Sequence, residues 1–330
     1  MIENKKTSIL LILKVLEEYT DENHYLTYQQ IIDKIQLLYG IKLERKSIAS
    51  SIEYLQELDY DIDKKERGGV CLLSRDLEKS EITFLIDAIF SSKSIPGKEA
   101  KALADKISKN LSIYDRRNYD YLHKTSEVNR TGNKEIFLNI ELIQEAINRG
   151  KRISFQYLTY DEKGKKIPRM NGYEYTVSPY YLVNNYGHYY LLANYRSKYA
   201  FIQTFRIDYM INLKIDETRD IKPLKDLDDS LKNFSLTKYL NEHVYLFGGD
   251  AIEVKIQIKD PGAIGYIYDN FGNVRIHNEN GVITTTLKSN ESALVYWLLQ
   301  YGEHFKVLEP LSFKEKLIEK AKKIMEEWWK

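Results

Sequence analysis

The stretch Val177-Ser-Pro-Tyr-Tyr-Leu-Val-Asn-Asn-Tyr-Gly-His-Tyr-Tyr-Leu-Leu-Ala193 holds two strand-like runs on either side of an Asn-Asn-Tyr-Gly turn. Alternation of side chains with a period of two predicts β-strands, and a short Gly-containing link predicts a hairpin. Similar runs lie on both sides, so this part of the chain predicts a small β-barrel of about five short strands. The predicted strands are 153–157, 173–177, 180–183, 188–192 and 202–207, with additional turns at Lys163–Lys165 and Ser178-Pro179.

The N-terminal 75 residues show a different pattern. Apolar stripes predict helices over 7–19, from a Thr27 N-cap to Gly40, and over 45–58, followed by strands at 60–63 and 70–73. Three short helices and a hairpin are typical of a winged helix-turn-helix domain, whose third helix reads DNA. The predicted DNA-binding residues are Arg45, Lys46, Ser47, Ser50, Ser51 and Tyr54 on the outer face of that helix, and Lys64, Lys65 and Arg67 at the hairpin tip.

The charge count of this segment leaves a second interpretation open. Residues 1–75 carry 11 basic and 13 acidic side chains, so the segment is not basic overall. Only the placement of its cations favours DNA, and a small helical domain with a solvated polar face fits the same composition.

Composition argues against several other classes of protein. The chain has 330 residues, 49 basic and 48 acidic side chains, one cysteine and six scattered histidines. We found no catalytic constellation, phosphate-binding loop or metal-ligand spacing, so we expect no enzyme activity, no cofactor and no metal. No signal peptide or membrane-spanning apolar run is visible, so we expect a cytoplasmic protein with no membrane partner.

The rest of the chain completes an α+β multidomain organisation. Residues 76–134 read as polar helices and are assigned as a connector and dimerisation element. From residue 226, strands alternate with helices in a C-terminal α+β domain. The predicted domains are 1–75, 76–134, 135–225 and 226–330.

Cations and tyrosines concentrate around the predicted barrel. Residues 149–169 contain seven basic and two acidic side chains, with Arg196 and Arg206 further along, and 12 of the 27 tyrosines lie in 153–209. Aromatic faces beside Arg and Lys suit a surface that stacks bases and binds phosphates. A solvated hairpin loop and a tyrosine-rich strand core explain the same pattern, so both interpretations stay open.

Several of these segments resemble a known family. Val177–Val183, Gly187–Ala193 and Thr204-Phe-Arg-Ile-Asp208 are similar to the WYL domain, although Tyr189-Tyr190-Leu191 replaces its Trp-Tyr-Leu triplet. The C-terminal part resembles the WCX extension that follows this domain. The segments that carry this second resemblance are Phe271-Gly272, Trp297–Gly302 and Val307–Pro310.

The resemblance implies a bacterial transcription regulator with an Sm/SH3-like barrel that senses an anionic ligand, often a nucleotide or single-stranded nucleic acid. Such proteins act as homodimers on double-stranded operator DNA, and many control phage-defence or DNA-damage genes. Gln203 and Tyr209-Met210 stand where the family often has cations, which leaves the charge of the ligand open. By motif, the residues that line or support the ligand site would be Tyr157, Ser178, Tyr180, His188, Tyr190 and Arg206.

The resemblance and the patterns together predict a ligand-responsive homodimeric repressor, with a phage-defence operon as one candidate for its target. The alternative is an accessory nucleic-acid-binding protein that modulates a nuclease or defence effector without recognising an operator.

Overall fold

A computed structural model describes residues 5–65, 68–116, 130–195, 201–272 and 274–329. The chain divides into two compact units, Met1–Gly132 and Asn133–Lys330. We refer to them as the N-terminal and C-terminal units. The domain boundaries at 75, 134 and 225 stay predictions.

The N-terminal unit begins with the predicted order of three helices and a hairpin. Its elements are α1 (Lys5–Tyr19), α2 (Tyr28–Tyr39), α3 (Arg45–Glu57), β1 (Ile62–Lys65) and β2 (Gly69–Leu72). Thr27 and Gln30 form the reciprocal capping box that starts α2, and Gly40 ends the helix with a left-handed φ of 68°. The predicted start and end of this helix are therefore confirmed.

Isoleucines dominate the core of this three-helix segment. Ile12, Ile31, Ile35, Ile48 and Ile52 are fully buried between α1, α2 and α3, and the hairpin covers one side with Val70 and Leu72. The hairpin strands pair in antiparallel register from Ile62↔Leu72 to Lys65↔Gly69.

Three further helices complete the described part of this unit: α4 (Lys79–Ser91), α5 (Gly97–Ser108) and α6 (Ile113–Arg116). They have a small core of their own, which includes Ile82, Ile86 and Leu111. Arg75 joins them to α1, because its guanidinium donates to the carbonyls of Thr20 (2.7 Å) and Asn110 (3.3 Å). Residues 117–129 of the predicted helical segment 76–134 lie outside the described residues.

The C-terminal unit starts with a helix packed on a bent antiparallel sheet. The helix is α7 (Ile136–Arg149), and the strands are β3 (Lys151–Tyr160), β4 (Lys166–Pro168), β5 (Glu174–Asn185), β6 (His188–Asn194), β7 (Gln203–Arg206) and β8 (Met210–Asp220). The order is β4-β3-β5-β6-β7, and β8 pairs with β3. Ile143, Ile153, Phe155, Leu191 and Ile207 are fully buried between the helix and the sheet.

Two predictions for this sheet were wrong. Ser178-Pro179 is not a turn, because β5 runs through it and a register shift between Pro179 and Tyr181 accommodates the proline. The sequence analysis also missed β8, although Ile211, Leu213 and Ile215 alternate along it.

The remainder of this unit is a second α/β layer that follows a short linking helix, α8 (Leu236–Glu242). The layer contains β9 (Ala251–Ile258), α9 (Ile264–Phe271), β10 (His277–Glu279), β11 (Val282–Asn290), α10 (Glu291–Tyr301), β12 (Phe305–Glu309) and α11 (Leu311–Trp328). The strands form an antiparallel sheet in the order β10-β11-β9-β12, and Trp297 is fully buried against it.

The fold class predicted from the sequence, α+β with helices first and sheets in the middle and C-terminal parts, is confirmed. None of the helices in the described ranges combines the length and the apolar character that crossing a bilayer requires.

Candidate functional site

The outer face of α3 carries most of the side chains predicted to contact DNA. Arg45, Lys46, Ser50 and Tyr54 are exposed and Ser47 is half-buried. All of these side chains except Arg45 border a groove of about 710 Å³ between α3 and the start of α1. The groove is lined by Ser8, Ile9, Glu44, Lys46, Ser47, Ser50, Ser51 and Tyr54. Small hydroxyl residues with lysine at one end suit close approach to a phosphate backbone.

Ser51 is a correction to the predicted surface, because only 5% of it is accessible. It lies three residues after Ile48 and four before Leu55, so it shares the buried face of the helix. Its hydroxyl therefore belongs to the edge of the core and not to the exposed face.

The hairpin contributes two of its three predicted cations to the described surface. Lys64 and Lys65 are exposed on β1, and Arg67 lies outside the described residues. The Lys65 ammonium stands 3.6 Å from the centroid of the Tyr25 ring, and the Tyr25 hydroxyl donates to Asp63 Oδ2 (2.6 Å). Lys65 is thus held against the domain, and Lys64 is the less constrained cation of the two.

In the C-terminal unit, Arg206 is the centre of the predicted ligand residues. Its Nε and Nη2 donate to Asp208 Oδ1 (3.1 Å) and Oδ2 (2.8 Å), and Nη2 also donates to His188 Nδ1 (2.9 Å). Its backbone N–H donates to the Tyr157 hydroxyl (2.9 Å). Tyr190 lies opposite Arg206 in the β6–β7 register. The structure therefore brings Tyr157, His188, Tyr190 and Arg206 together.

Asp208 changes the electrostatics of this cluster. Its side chain is 1% accessible and that of Arg206 is 26% accessible, so the pair is largely removed from water. Burial lowers the pKa of the Arg206 guanidinium, but the hydrogen bonds and charge of Asp208 outweigh burial and leave the pKa raised. Arg206 is therefore a permanent cation whose charge is balanced from within the protein.

Burial also raises the pKa of the Tyr157 and Tyr190 hydroxyls, and the nearby Arg206 guanidinium opposes this rise in both. Both hydroxyls stay protonated at neutral pH and are available for hydrogen bonds.

Three residues outside the predicted set extend the cluster: Tyr160, Lys166 and Tyr209. The Arg206 guanidinium and the Lys166 ammonium lie 4.4 Å and 4.6 Å from the centroid of the Tyr209 ring. Tyr160 packs edge-on against Tyr209, with 6.1 Å between ring centroids, and is 52% exposed. The result is an aromatic surface with two cations, which we call the Arg206 cluster (Tyr157, Tyr160, Lys166, His188, Tyr190, Arg206, Asp208 and Tyr209).

Comparison with family models matches this part of the chain to the WYL domain over residues 139–215 and the C-terminal part to the WCX domain over residues 250–325. The chain is a WYL- and WCX-domain protein. The resemblance inferred from the sequence motifs is thereby confirmed. The Arg206 cluster lies inside the WYL match, and β9 to β12 lie inside the WCX match.

The solved structures that are similar to the chain include the following two. One is proteasome accessory factor B/C (PafBC) of Arthrobacter aurescens, at 16% identity and a TM-score of 0.30, covering 95% of this chain and 47% of that one. This chain thus spans about half the length of that structure. The other is described as a CRISPR Cas-related protein, at 14% identity and a TM-score of 0.34, covering 97% of this chain and 86% of that one. A search of curated protein sequences found no match.

The other residues predicted to line the ligand site of the WYL domain lie elsewhere. Tyr180 donates to the carbonyl of Lys222 (2.7 Å), and the Lys222 N–H donates to the Ser178 hydroxyl (3.0 Å). Both side chains hold the segment that leaves β8, so they support the fold and do not join the Arg206 cluster. Arg196 lies outside the described residues.

Two of the seven cations in the basic run 149–169 of the WYL domain form ion pairs with acidic side chains. Arg149 pairs with Glu145 and Glu217, and Lys151 pairs with Asp220 (2.7 Å). Lys166 is the member of the run that reaches the Arg206 cluster.

Sequence reasoning missed Asp208, Tyr209, Tyr160 and Lys166. The run Arg206-Ile-Asp208-Tyr209 was the available signal, since a 3₁₀ turn over Ile207–Tyr209 returns the acid and the aromatic to the arginine. No group of His, Cys, Asp and Glu among the described residues could hold a metal ion.

Proposed function

We propose that the protein is a homodimeric, ligand-responsive transcription regulator that binds operator DNA and acts as a repressor. One observation carries the proposal: WYL and WCX matches follow a three-helix-and-hairpin segment whose third helix exposes polar and basic side chains. That combination fits a DNA-binding domain joined to a ligand-sensing domain.

The surface of α3 supports the DNA-binding part of the proposal. Arg45 and Lys46 stand at the N-terminal end of the helix, which in helix-turn-helix proteins enters the major groove. Ser47 and Ser50 leave room for the backbone to approach. Lys64 would add a phosphate contact from the hairpin.

The Arg206 cluster supports the sensing part. It combines two cations with aromatic rings, a combination that binds anions attached to planar groups. An anion bound there would favour one arrangement of the dimer and so change the spacing of the two α3 helices relative to the operator half-sites.

The apolar stripe of α11 supports homodimerisation. Leu311, Ile318 and Met325 recur every seven residues and are exposed, and Trp328 and Trp329 are 84% and 88% accessible. Two exposed tryptophans at one end of an 18-residue helix form a patch that a second copy of the helix would cover.

An electrophoretic mobility shift with the DNA upstream of the protein's own gene tests operator binding. Lys46→Ala is expected to weaken binding about tenfold and to reduce the salt dependence by about one phosphate contact. Lys101→Ala removes the same charge from an exposed position on α5 and serves as the matched control. Equal affinities of the two variants would show that α3 does not read DNA.

The same assay separates the proposal from its alternative, an accessory nucleic-acid-binding protein that modulates a nuclease or defence effector. A regulator prefers its operator over random duplex by a factor of about 10³ or more. Equal competition by random duplex would favour the accessory role.

Two further parts of the proposal concern regulation. The protein is expected to silence a reporter gene placed behind the upstream DNA. Activation of the reporter would contradict the proposed role as a repressor. For the target we propose a phage-defence operon, and genes of unrelated function next to this one would count against it.

A further inference from the structure

A cavity of about 280 Å³ lies where the WYL match gives way to the WCX match. Phe201 and Ile202 line it from the WYL match, Ala251 and Lys288 line it from the WCX match, and the linking segment with α8 supplies the rest of the wall. None of the described residues that line this cavity belongs to the Arg206 cluster. The cavity is therefore a separate site.

Tyr239 lines this cavity, and its buried hydroxyl lacks a hydrogen-bond partner. The residue is 9% accessible, and no donor or acceptor within the described ranges is bonded to its hydroxyl oxygen. Burial raises the pKa of this hydroxyl to about 12, so it carries its proton at neutral pH. A buried hydroxyl without a partner costs free energy on folding, and an acceptor that entered the cavity would remove that cost.

His243 places a positive charge next to Tyr239. Its Nδ1 lies 2.9 Å from the Tyr239 carbonyl oxygen, and its Nε2 lies 3.0 Å from the Gly249 carbonyl oxygen. A carbonyl oxygen only accepts hydrogen bonds, so both nitrogens must donate and the ring is an imidazolium. The ring stacks on the Tyr239 ring, with 3.9 Å between the centroids, and the residue is 7% accessible. Within the described part of the chain no carboxylate forms an ion pair with His243, so this buried cation lacks a counter-ion.

The other charged side chains of the cavity wall balance one another. Lys288 pairs with Glu242 (3.0 Å), and these two charges cancel. Lys238 and Asp250 are exposed and contribute one charge of each sign. With the His243 imidazolium included, the wall carries one net positive charge.

We propose that this cavity binds a small aromatic carboxylate. The Tyr239 hydroxyl would donate to the carboxylate, and the His243 imidazolium would balance its charge. A carboxylate suits this donor better than a neutral acceptor does, because hydrogen bonds to ionised groups are about twice as strong. The aromatic ring of the ligand would pack among apolar side chains of the wall, which include Phe201, Leu231 and Phe234.

The position of the cavity gives such a ligand a structural role. Its wall is drawn from both family matches, so a bound carboxylate would hold the WYL and WCX parts of the C-terminal unit together. The inference is independent of the DNA-binding surface and of the Arg206 cluster.

Matched probes separate charge from shape. The full-length protein is titrated calorimetrically at pH 7 with benzoate, naphthalene-2-carboxylate and indole-3-acetate, each beside its uncharged amide. At least one carboxylate is expected to bind at submillimolar concentration and about tenfold more tightly than its amide. Equal binding of acid and amide would overturn the assignment of charge. No binding of any of the three carboxylates at millimolar concentration would show that the cavity holds only water, and would overturn the proposal.

Tyr239→Phe removes the hydroxyl and keeps the ring. Because the hydroxyl has no partner, we expect the variant to be at least as stable as the wild type in urea unfolding at pH 7, and yet to bind the carboxylate about tenfold more weakly. Tyr268→Phe removes a hydroxyl from an exposed position of α9, outside the cavity wall, and is the matched control with unchanged affinity. Unchanged affinity in Tyr239→Phe would place the bound carboxylate elsewhere and overturn the proposal.

His243→Gln keeps a donor for the Gly249 carbonyl but removes the positive charge. The variant is expected to lose most of the preference for the carboxylate over its amide, and His277→Gln, at an exposed position of β10, is expected to keep it. An undiminished preference in His243→Gln would contradict the role of His243. If this variant does not fold, the wild-type comparison of acid and amide still decides whether the cavity selects a negative charge.

Discussion

At the scale of single residues, the tyrosines of the WYL domain serve two purposes. Tyr175 is buried among Phe155 and Phe205 and belongs to the core, and Tyr160 is exposed beside the cations. The tyrosine count alone could not separate these uses, because Tyr suits both a strand core and a binding surface. The core interpretation is therefore right for Tyr175, and the interpretation as a binding surface stays a prediction.

The contribution of the buried Tyr180 hydroxyl to stability can be tested through its dependence on pH. Burial raises its pKa to about 12, against about 10 in an unfolded chain. A raised pKa means that the folded state holds the proton more tightly, so this contribution to stability is complete below pH 10 and is lost as pH rises through about 12. Tyr239 is also raised to about 12 by burial and adds to the effect.

We therefore expect the free energy of unfolding to fall between pH 10 and pH 12, as measured by urea titration. Tyr180→Phe is expected to lose about 1 kcal/mol at pH 8 with its hydrogen bond to Lys222, and to show a shallower alkaline decline. An alkaline decline as steep as that of the wild type would show that the Tyr180 hydroxyl does not contribute.

At the scale of elements, local sequence was sufficient where a helix or strand has its own start and stop signals. The Thr27 capping box and Gly40 bound α2 as predicted. Local sequence was insufficient at Pro179, where the pairing of β5 with β6 through a bulge overrides the tendency of Ser-Pro to form a turn.

The capping box of α2 is testable by substitution. Thr27 Oγ1 accepts from the Gln30 N–H (3.3 Å), and Gln30 Oε1 accepts from the Thr27 N–H (2.8 Å). Thr27→Ala is expected to destabilise the N-terminal unit by about 1 kcal/mol in urea unfolding, because the Gln30 N–H at the start of the helix loses its side-chain acceptor. Thr27→Ser keeps the acceptor and should unfold close to wild type, and equal stability of Thr27→Ala would argue against the cap.

At the scale of the whole molecule, the proposed dimer depends on the exposed stripe of α11. Ile318→Lys places a charge in the middle of that stripe and is expected to shift the protein toward the monomer in sedimentation velocity at micromolar concentration. Glu319→Lys introduces a lysine at an exposed polar position about 100° around the same helix from Ile318 and is the matched control. Retention of the dimer in Ile318→Lys would place the interface elsewhere.

The order of elements and the family were readable from the chain, because helix and strand periods, caps and motif residues act within a few positions of one another. Which side chains share a site was not readable, because that depends on strand register and on packing between distant segments. Ser178 and Tyr180 contact Lys222, more than 40 residues away, and so lie outside the Arg206 cluster. Asp208 reaches Arg206 because a 3₁₀ turn follows β7, and this folded geometry places a buried carboxylate against the guanidinium.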